Sequence, residues 1–143
     1  AHCAYGIAEA SVAEIDQINI LQASLLAMAR AMDAMVTNFG VAVETALVDG
    51  NQKPRLPCAV QTVIQGDSIS RSIAAASILA KVTRDRYMHD LCALHPGYGW
   101  SSNAGYGTAE HLAGLKKNGV TIHHRRSFAP VQSALFNSDS QSA

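Results

Sequence analysis

The chain has 143 residues, 48% hydrophobic and 15% charged, a composition that excludes a disordered segment and suits one globular domain with a core of its own. Eleven basic residues balance eleven acidic ones, so the net charge is 0 and a global basic field for nucleic acid is excluded. Anion binding would have to come from local clusters, of which "LKK" at 115–117 and "HHRRSF" at 123–128 stand out. Cys3, Cys58 and Cys92 form neither a C-x-x-C pair nor a disulfide framework, which points to a reducing, cytoplasmic setting. No uninterrupted apolar run approaches the about 18 residues of a membrane helix, so no membrane partner and no signal peptide are expected.

In chain order, "AYGIAEAS" reads as a short strand, and the first residues, "AHCAYGIAEAS", lack a Met. Ser11 with Glu14 three residues later is a capping box. From there Ile18, Leu21, Leu25, Met28, Met32 and Met35 recur at threes and fours, the stripe of an amphipathic helix ending near Asn38–Phe39–Gly40. "VAVETALVDG" and "CAVQTVIQG" are short β-rich runs separated by the Pro-containing "NQKPRLP". Strands and amphipathic helices in this order predict an α/β layer.

A long helix is predicted from Ser68 to about Leu94, stopped by "HPGYG". "WSSNAGYGT" reads as a polar loop. "TAEHLAGLKKNG" reads as a helix with Thr108 as N-cap and Gly119 as stop. "VTIHH" is expected to be a strand, "APVQSALF" a short helix with Pro130 in its first turn, and "NSDSQSA" a polar tail.

Two carboxylates carry the chemical interest. Asp49 closes a predicted strand, at the end where open α/β sheets place their sites, and Asp67 stands between the next strand and the long helix. If the two strands are neighbours, both carboxylates end on one edge of the sheet. Such hard oxygen ligands suit Mg²⁺ or Mn²⁺ and form the protein half of a two-metal phosphodiester site. Asp49 also reads as a turn residue and Asp67 as a helix N-cap, and spacing alone favours these readings.

Ser77 and Lys81 lie one helical turn apart, where hydroxyl and ammonium could hold a phosphate, or Lys81 could simply lie along the helix surface. Asp85 reads as a surface partner of nearby basic residues rather than a third ligand. Tyr106, between Gly105 and Gly107, offers a face for stacking on a base or sugar, the alternative being a loop tyrosine that covers the core. His123 and His124, pointing opposite ways on a strand, do not make a zinc pair. Arg125 and Arg126 suit phosphate contacts or acidic neighbours. Trp100 and Tyr98 are expected in the core.

Five segments taken in order, "EIDQINILQASLLAMARAM", "LVDGN", "GDSISRSIAAASILAKVTRD", "GYGT" and "HHRRSFAPV", resemble ribonuclease HII, the type 2 ribonuclease H family. The resemblance implies a ribonuclease H-like mixed sheet flanked by helices, with a C-terminal helical extension. It spans residues 1–136 as one domain, with 137–143 as the tail. It also implies an endonuclease dependent on Mg²⁺ or Mn²⁺ that cuts the RNA strand of RNA–DNA hybrids. Such an enzyme incises 5′ of ribonucleotides embedded in duplex DNA, leaves a 5′-phosphate and a 3′-hydroxyl, and acts as a monomer.

Carried over, Asp49 and Asp67 match two of the family's four metal-binding catalytic carboxylates, and Tyr106 matches the tyrosine that reads the ribose 2′-hydroxyl. Ser77, Lys81, Arg125 and Arg126 are the accompanying substrate-binding candidates. The family's other two carboxylates, in an Asp-Glu pair followed by Gly-Arg-Gly, have no counterpart here, and Asn103–Ala104 stand where many members carry His-Lys. The expectation is therefore a chain lacking the family's N-terminal third and its first strands, with little activity alone. The alternatives are a non-catalytic binder of RNA–DNA hybrid, or a fragment that complements a separate N-terminal segment.

Overall fold

The structure, a computed structural model, describes residues 3–139. The chain separates into two compact units, Ala1–Ala80 and Lys81–Ala143.

In the first unit, residues 3–11 alternate in exposure like an extended chain but enter no ladder, so the strand expected there does not form. Gly6 explains how this segment packs. A side chain at that position would run into the Ala31 carbonyl and Met35 N–H of the first helix, so the backbones meet directly. That helix, α1 (Val12–Phe39), starts on the expected capping box: Glu14 N–H donates to Ser11 Oγ at 3.2 Å and Ser11 N–H to Glu14 Oε2 at 2.8 Å. Arg30 clamps the same carboxylate through two N–H donors at 2.6 and 3.0 Å. The pairing, helped by the Ser11 N–H, lowers the Glu14 carboxyl to about 2.

The helix is not continuous. Asn19 has φ 67° and ψ 166°, and its Oδ1 accepts the Gln22 N–H at 3.1 Å, re-capping the chain for a second helical run. By length and composition α1 is apolar enough to cross a membrane, which corrects the sequence expectation. Counting uninterrupted apolar residues missed it, because scattered polar residues break the run without outweighing its Ala, Leu, Ile and Met. The helix is broken at Asn19 and carries the Glu14–Arg30 ion pair. Only Ala23 of α1 is fully buried.

The α/β class expected from the sequence is what the chain adopts. Strands β1 (Thr45–Asp49) and β2 (Ala59–Val63) pair in parallel with Asp49 opposite Val63. Parallel neighbours ordinarily need a crossover of about a dozen residues or more, yet here residues 50–58 make the whole return. Beyond β2 the predicted long helix comes in two pieces, α2 (Gly66–Ile69) and α3 (Arg71–Leu94). Ser70 takes an extended backbone between them, and its hydroxyl accepts the Ile73 N–H at 3.5 Å.

The second unit packs around Met88, Leu91, Tyr98, Trp100, Leu115 and Val131. The end of α3 supplies the first two, and α5 (Ala109–Asn118) and α6 (Ala129–Asp139) supply the last two. Tyr98 and Trp100 lie in the core as expected, stacked with centroids 4.8 Å apart. Trp100 opens a short helix, α4 (Trp100–Asn103), where a loop was expected. Thr108 caps α5 through the His111 N–H at 3.3 Å, and Gly119 ends it.

Gly114 lets α5 sit directly on the Gly97–Tyr98 backbone. Residues 121–124 form a turn rather than the expected strand, with His124 N–H donating to the Thr121 carbonyl. The first three residues of the expected tail belong to α6, and residues 140–143 lie outside the described residues.

Candidate metal centre and nucleic-acid interface

Because β1 and β2 are parallel neighbours, their C-terminal ends share one edge of the sheet, and both candidate carboxylates are delivered there. Asp49 is the last residue of β1, exposed, with Oδ1 accepting the Gly66 N–H at 2.8 Å. Its Oδ2 takes no hydrogen bond among the described residues. Gly66 is buried where a Cβ would meet Ile73 Cδ1 at 2.6 Å and Asp49 Oδ1 at 3.3 Å, so glycine is what allows the strand end and the next element to touch. Asp67 follows immediately, exposed, inside α2 and not at its N-cap, which is Gln65. The N-cap reading of Asp67 therefore fails, and its Oδ1 accepts from the Ser68 hydroxyl at 3.4 Å.

Both aspartates are thus exposed hard-oxygen donors on one sheet edge, a donor set that fits a divalent ion completed by water and substrate oxygens. Among the described residues, no group of three His, Cys, Asp or Glu is brought together as a metal cage.

In the second unit Tyr106 is 69% exposed, which rules out the core-covering alternative. Its backbone is held from several sides. Tyr106 N–H donates to the Asn103 carbonyl at 2.8 Å, and its own carbonyl accepts from Thr108 N–H at 2.8 Å and faces His111 Nδ1 at 2.9 Å. Buried Asn103 spans the loop, its amide donating to the Tyr98 carbonyl at 2.8 Å and its Oδ1 accepting the Gly105 N–H at 2.9 Å. Gly105, at φ 82°, is pressed against Met88 and Arg84, and Arg84 donates to the Ala104 carbonyl at 3.1 Å. Asn103 and Ala104, where the resemblance leads one to look for a charge, are therefore framework of the loop here.

Sequence reasoning missed what lies behind Tyr106. His111 and His124, 7% and 5% exposed, face each other Nε2 to Nε2 at 3.2 Å. The Trp100 indole N–H points at the same His111 Nε2 at 3.3 Å, while His124 Nδ1 meets the Thr121 N–H at 3.0 Å and the Thr121 hydroxyl at 2.9 Å. Burial and the neighbouring His111 lower His124 to about 4. Residues thirteen apart in sequence leave no periodic trace, and the strand expected for "VTIHH" pointed the two adjacent histidines apart.

The remaining candidates lie on the surface. Ser77 is exposed, and Lys81 turns toward Asp85 at 3.0 Å in an exposed pair, the role foreseen for Asp85. Such pairs contribute about 0.5 kcal/mol or less and leave a lysine available to a phosphate. Arg125 lies over the Phe128 ring at 5.3 Å, which orients its guanidinium, and Arg126 is exposed.

Comparison with known proteins accounts for this combination of elements. The family model of ribonuclease HII matches residues 2–131. The chain is 63% identical over 126 residues to ribonuclease HII of Paramagnetospirillum magneticum, covering 88% of this chain and 61% of that protein. It is 60% identical over 133 residues to ribonuclease HII of Rhodospirillum rubrum, covering 93% and 59%. With ribonuclease HII of Gluconobacter oxydans the identity is 58% over 130 residues, covering 91% and 61%. The fold is of the ribonuclease H-like α/β class, and the chain belongs to the ribonuclease HII family. It spans about three-fifths of the length of these relatives.

Proposed function

We propose that the chain carries the larger part of a metal-dependent endonuclease that hydrolyses the RNA strand of RNA–DNA hybrids and incises 5′ of ribonucleotides embedded in duplex DNA. The observation that carries this reading is the delivery of Asp49 and Asp67 to one sheet edge by parallel neighbouring strands, in a chain of the ribonuclease HII family. Asp49 and Asp67 hold Mg²⁺ or Mn²⁺, and when bound the metal supplies positive charge for the transferring phosphoryl group and an activated water. The Gly66 N–H holds the Asp49 carboxylate in place through Oδ1, leaving Oδ2 for the ion.

Tyr106 stacks at the ribonucleotide, supported by its exposure and its fixed backbone. Ser77, Lys81, Arg125 and Arg126 contact phosphates. Three free cysteines support a reducing, cytoplasmic setting. We read α1 as packed on protein rather than in a membrane, and the working form as a monomer.

Two carboxylates are a thin ligand set for a pair of metal ions, so the chain as given has little activity alone. Restored activity on adding a separate segment is the second reading. It is favoured by the exposure of Leu47, Ile64 and Ile69 on and beside a sheet that has two strands among the described residues.

The test is cleavage of a labelled DNA duplex with one ribonucleotide, in Mg²⁺ or Mn²⁺. Three proteins are compared: the chain as given, Asp49→Asn, and a form extended at the N-terminus by an Asp-Glu/Gly-Arg-Gly segment. Cutting 5′ of the ribonucleotide by the extended form alone is the expected result. Cutting by the chain itself, lost in Asp49→Asn, would overturn the need for further carboxylates. No cutting by any form would remove the endonuclease reading.

A further inference from the structure

We infer that His111 and His124 form a neutral hydrogen-bonded relay that fixes the Tyr106 backbone, making His111 a positioning residue for ribonucleotide recognition. The inference rests on the role given to Tyr106 above.

The partners dictate the tautomers. The Tyr106 carbonyl can only accept, so the Nδ1 of His111, 2.9 Å away, must carry a proton. In a neutral ring His111 Nε2 is then a lone pair, which suits the Trp100 indole N–H at 3.3 Å. His124 Nε2 faces that same lone pair at 3.2 Å and must be N–H. That leaves His124 Nδ1 as an acceptor, and it meets two donors, the Thr121 N–H and hydroxyl. One assignment leaves no donor facing a donor, each acceptor nitrogen being shared between two donors, and it runs Thr121 to His124 to His111 to Tyr106.

A second proton anywhere in the pair breaks it. On His111 it would set N–H against both the Trp100 and His124 N–H groups, and on His124 it would set N–H against the Thr121 amide. The groups around His124 favour its neutral form. His95 and His123 stand near His124, Tyr98 and Trp100 rings pack on both imidazoles, and Glu110 turns to Ser102 instead.

Tyr106 sits between two glycines, so without this anchor on its carbonyl its exposed ring would be carried on a freer backbone. The anchor is therefore expected to sharpen recognition of the ribonucleotide more than general affinity for duplex.

The 143-residue chain provides the test. Long-range ¹H–¹⁵N spectra are expected to show Nδ1–H for His111 and Nε2–H for His124, and the opposite tautomer at His111 would overturn the relay. Binding is then compared between a DNA duplex with one ribonucleotide and the matching all-DNA duplex. His111→Asn, whose amide can occupy the Nδ1 position, should hold the wild-type preference within about twofold, while His111→Phe should lose about five- to tenfold of it. Affinity for all-DNA duplex should stay level in both.

Should His111→Phe not fold, His111→Gln, whose amide falls at the Nε2 position, replaces it with the same expectation. Retained preference in the Phe or Gln variant would overturn the proposal. If the wild-type chain shows no preference at all, the Tyr106 role fails on its own. The relay is then decided by the Tyr106 and Gly107 amide signals. Displacement in His111→Phe with restoration in His111→Asn supports it, and unchanged signals overturn it.

Discussion

The Gly66 N–H donates to Asp49 Oδ1 at 2.8 Å, so the last residue of β1 is fastened to the first residue of α2, and the carboxylate is aimed by backbone geometry rather than by its own rotamer alone. Replacing Asp49 by Asn keeps an oxygen for that N–H and removes the charge. Asp49→Asn should leave the unfolding free energy within about 1 kcal/mol of wild type, while Mn²⁺ binding followed by calorimetry falls at least about tenfold. Asp49→Ala should weaken the metal equally and cost a further about 1 kcal/mol in stability.

Gly114 touches backbone, not a side chain that could swing aside. A methyl group there would strike the Gly97 carbonyl and meet Tyr98 Cα at 2.9 Å. Gly114→Ala should cost about 3 kcal/mol, the upper end of overpacking, seen as a lower urea midpoint.

Lys81 forms an exposed pair with Asp85. Lys81→Gln should leave thermal stability within about 0.5 kcal/mol. If Lys81 contacts a phosphate, the slope of log affinity for duplex against log salt should fall by about one. An unchanged slope would remove Lys81 from the interface.

Acid should weaken the two units in different windows. His124 titrates near 4 when folded and near the ordinary 6.5 when unfolded. Between those values the unfolded chain binds the extra proton, so stability falls as the pH drops through that range, by about 3 kcal/mol at most. Glu14, at about 2 against an ordinary 4.5, contributes stability that is present above 4.5 and lost as the pH falls toward 2. Hydrogen exchange resolved by residue from pH 7 to about pH 4 should show protection falling first in residues 109–124, and His124→Phe should flatten that first window.

Local chemistry is what the sequence disclosed best. The Ser11–Glu14 box, the Thr108 cap and the Gly119 stop depend on neighbours a few residues away, and each was legible. So were β1 and β2, from their β-branched runs and flanking turn residues, and the core placement of Tyr98 and Trp100. Asp49 and Asp67 could be named as candidates, but their sharing of one edge followed only from the parallel register.

The elements that were misread obey competing local preferences. Ser70 caps a new helix where small apolar residues suggested an unbroken one, and Asn19 does the same within α1. At 121–124 the β-branched Val-Thr-Ile run suggested a strand, but the Thr121 hydroxyl and the His124 ring close a turn instead. The His111–His124 pair could not be seen at all, since it depends on how α5 and that turn pack.

Trp100 is the sole tryptophan, 2% exposed, stacked on Tyr98 and bonded through its indole to His111. Its emission is therefore a built-in optical gauge of residues 81–143 alone, blind to β1 and α2, which hold the aspartates. Unfolding followed by tryptophan fluorescence and by far-ultraviolet circular dichroism then reads two different parts of the chain. Any gap between the two midpoints measures how far the unit with Asp49 and Asp67 and the unit with Tyr106 melt as separate bodies.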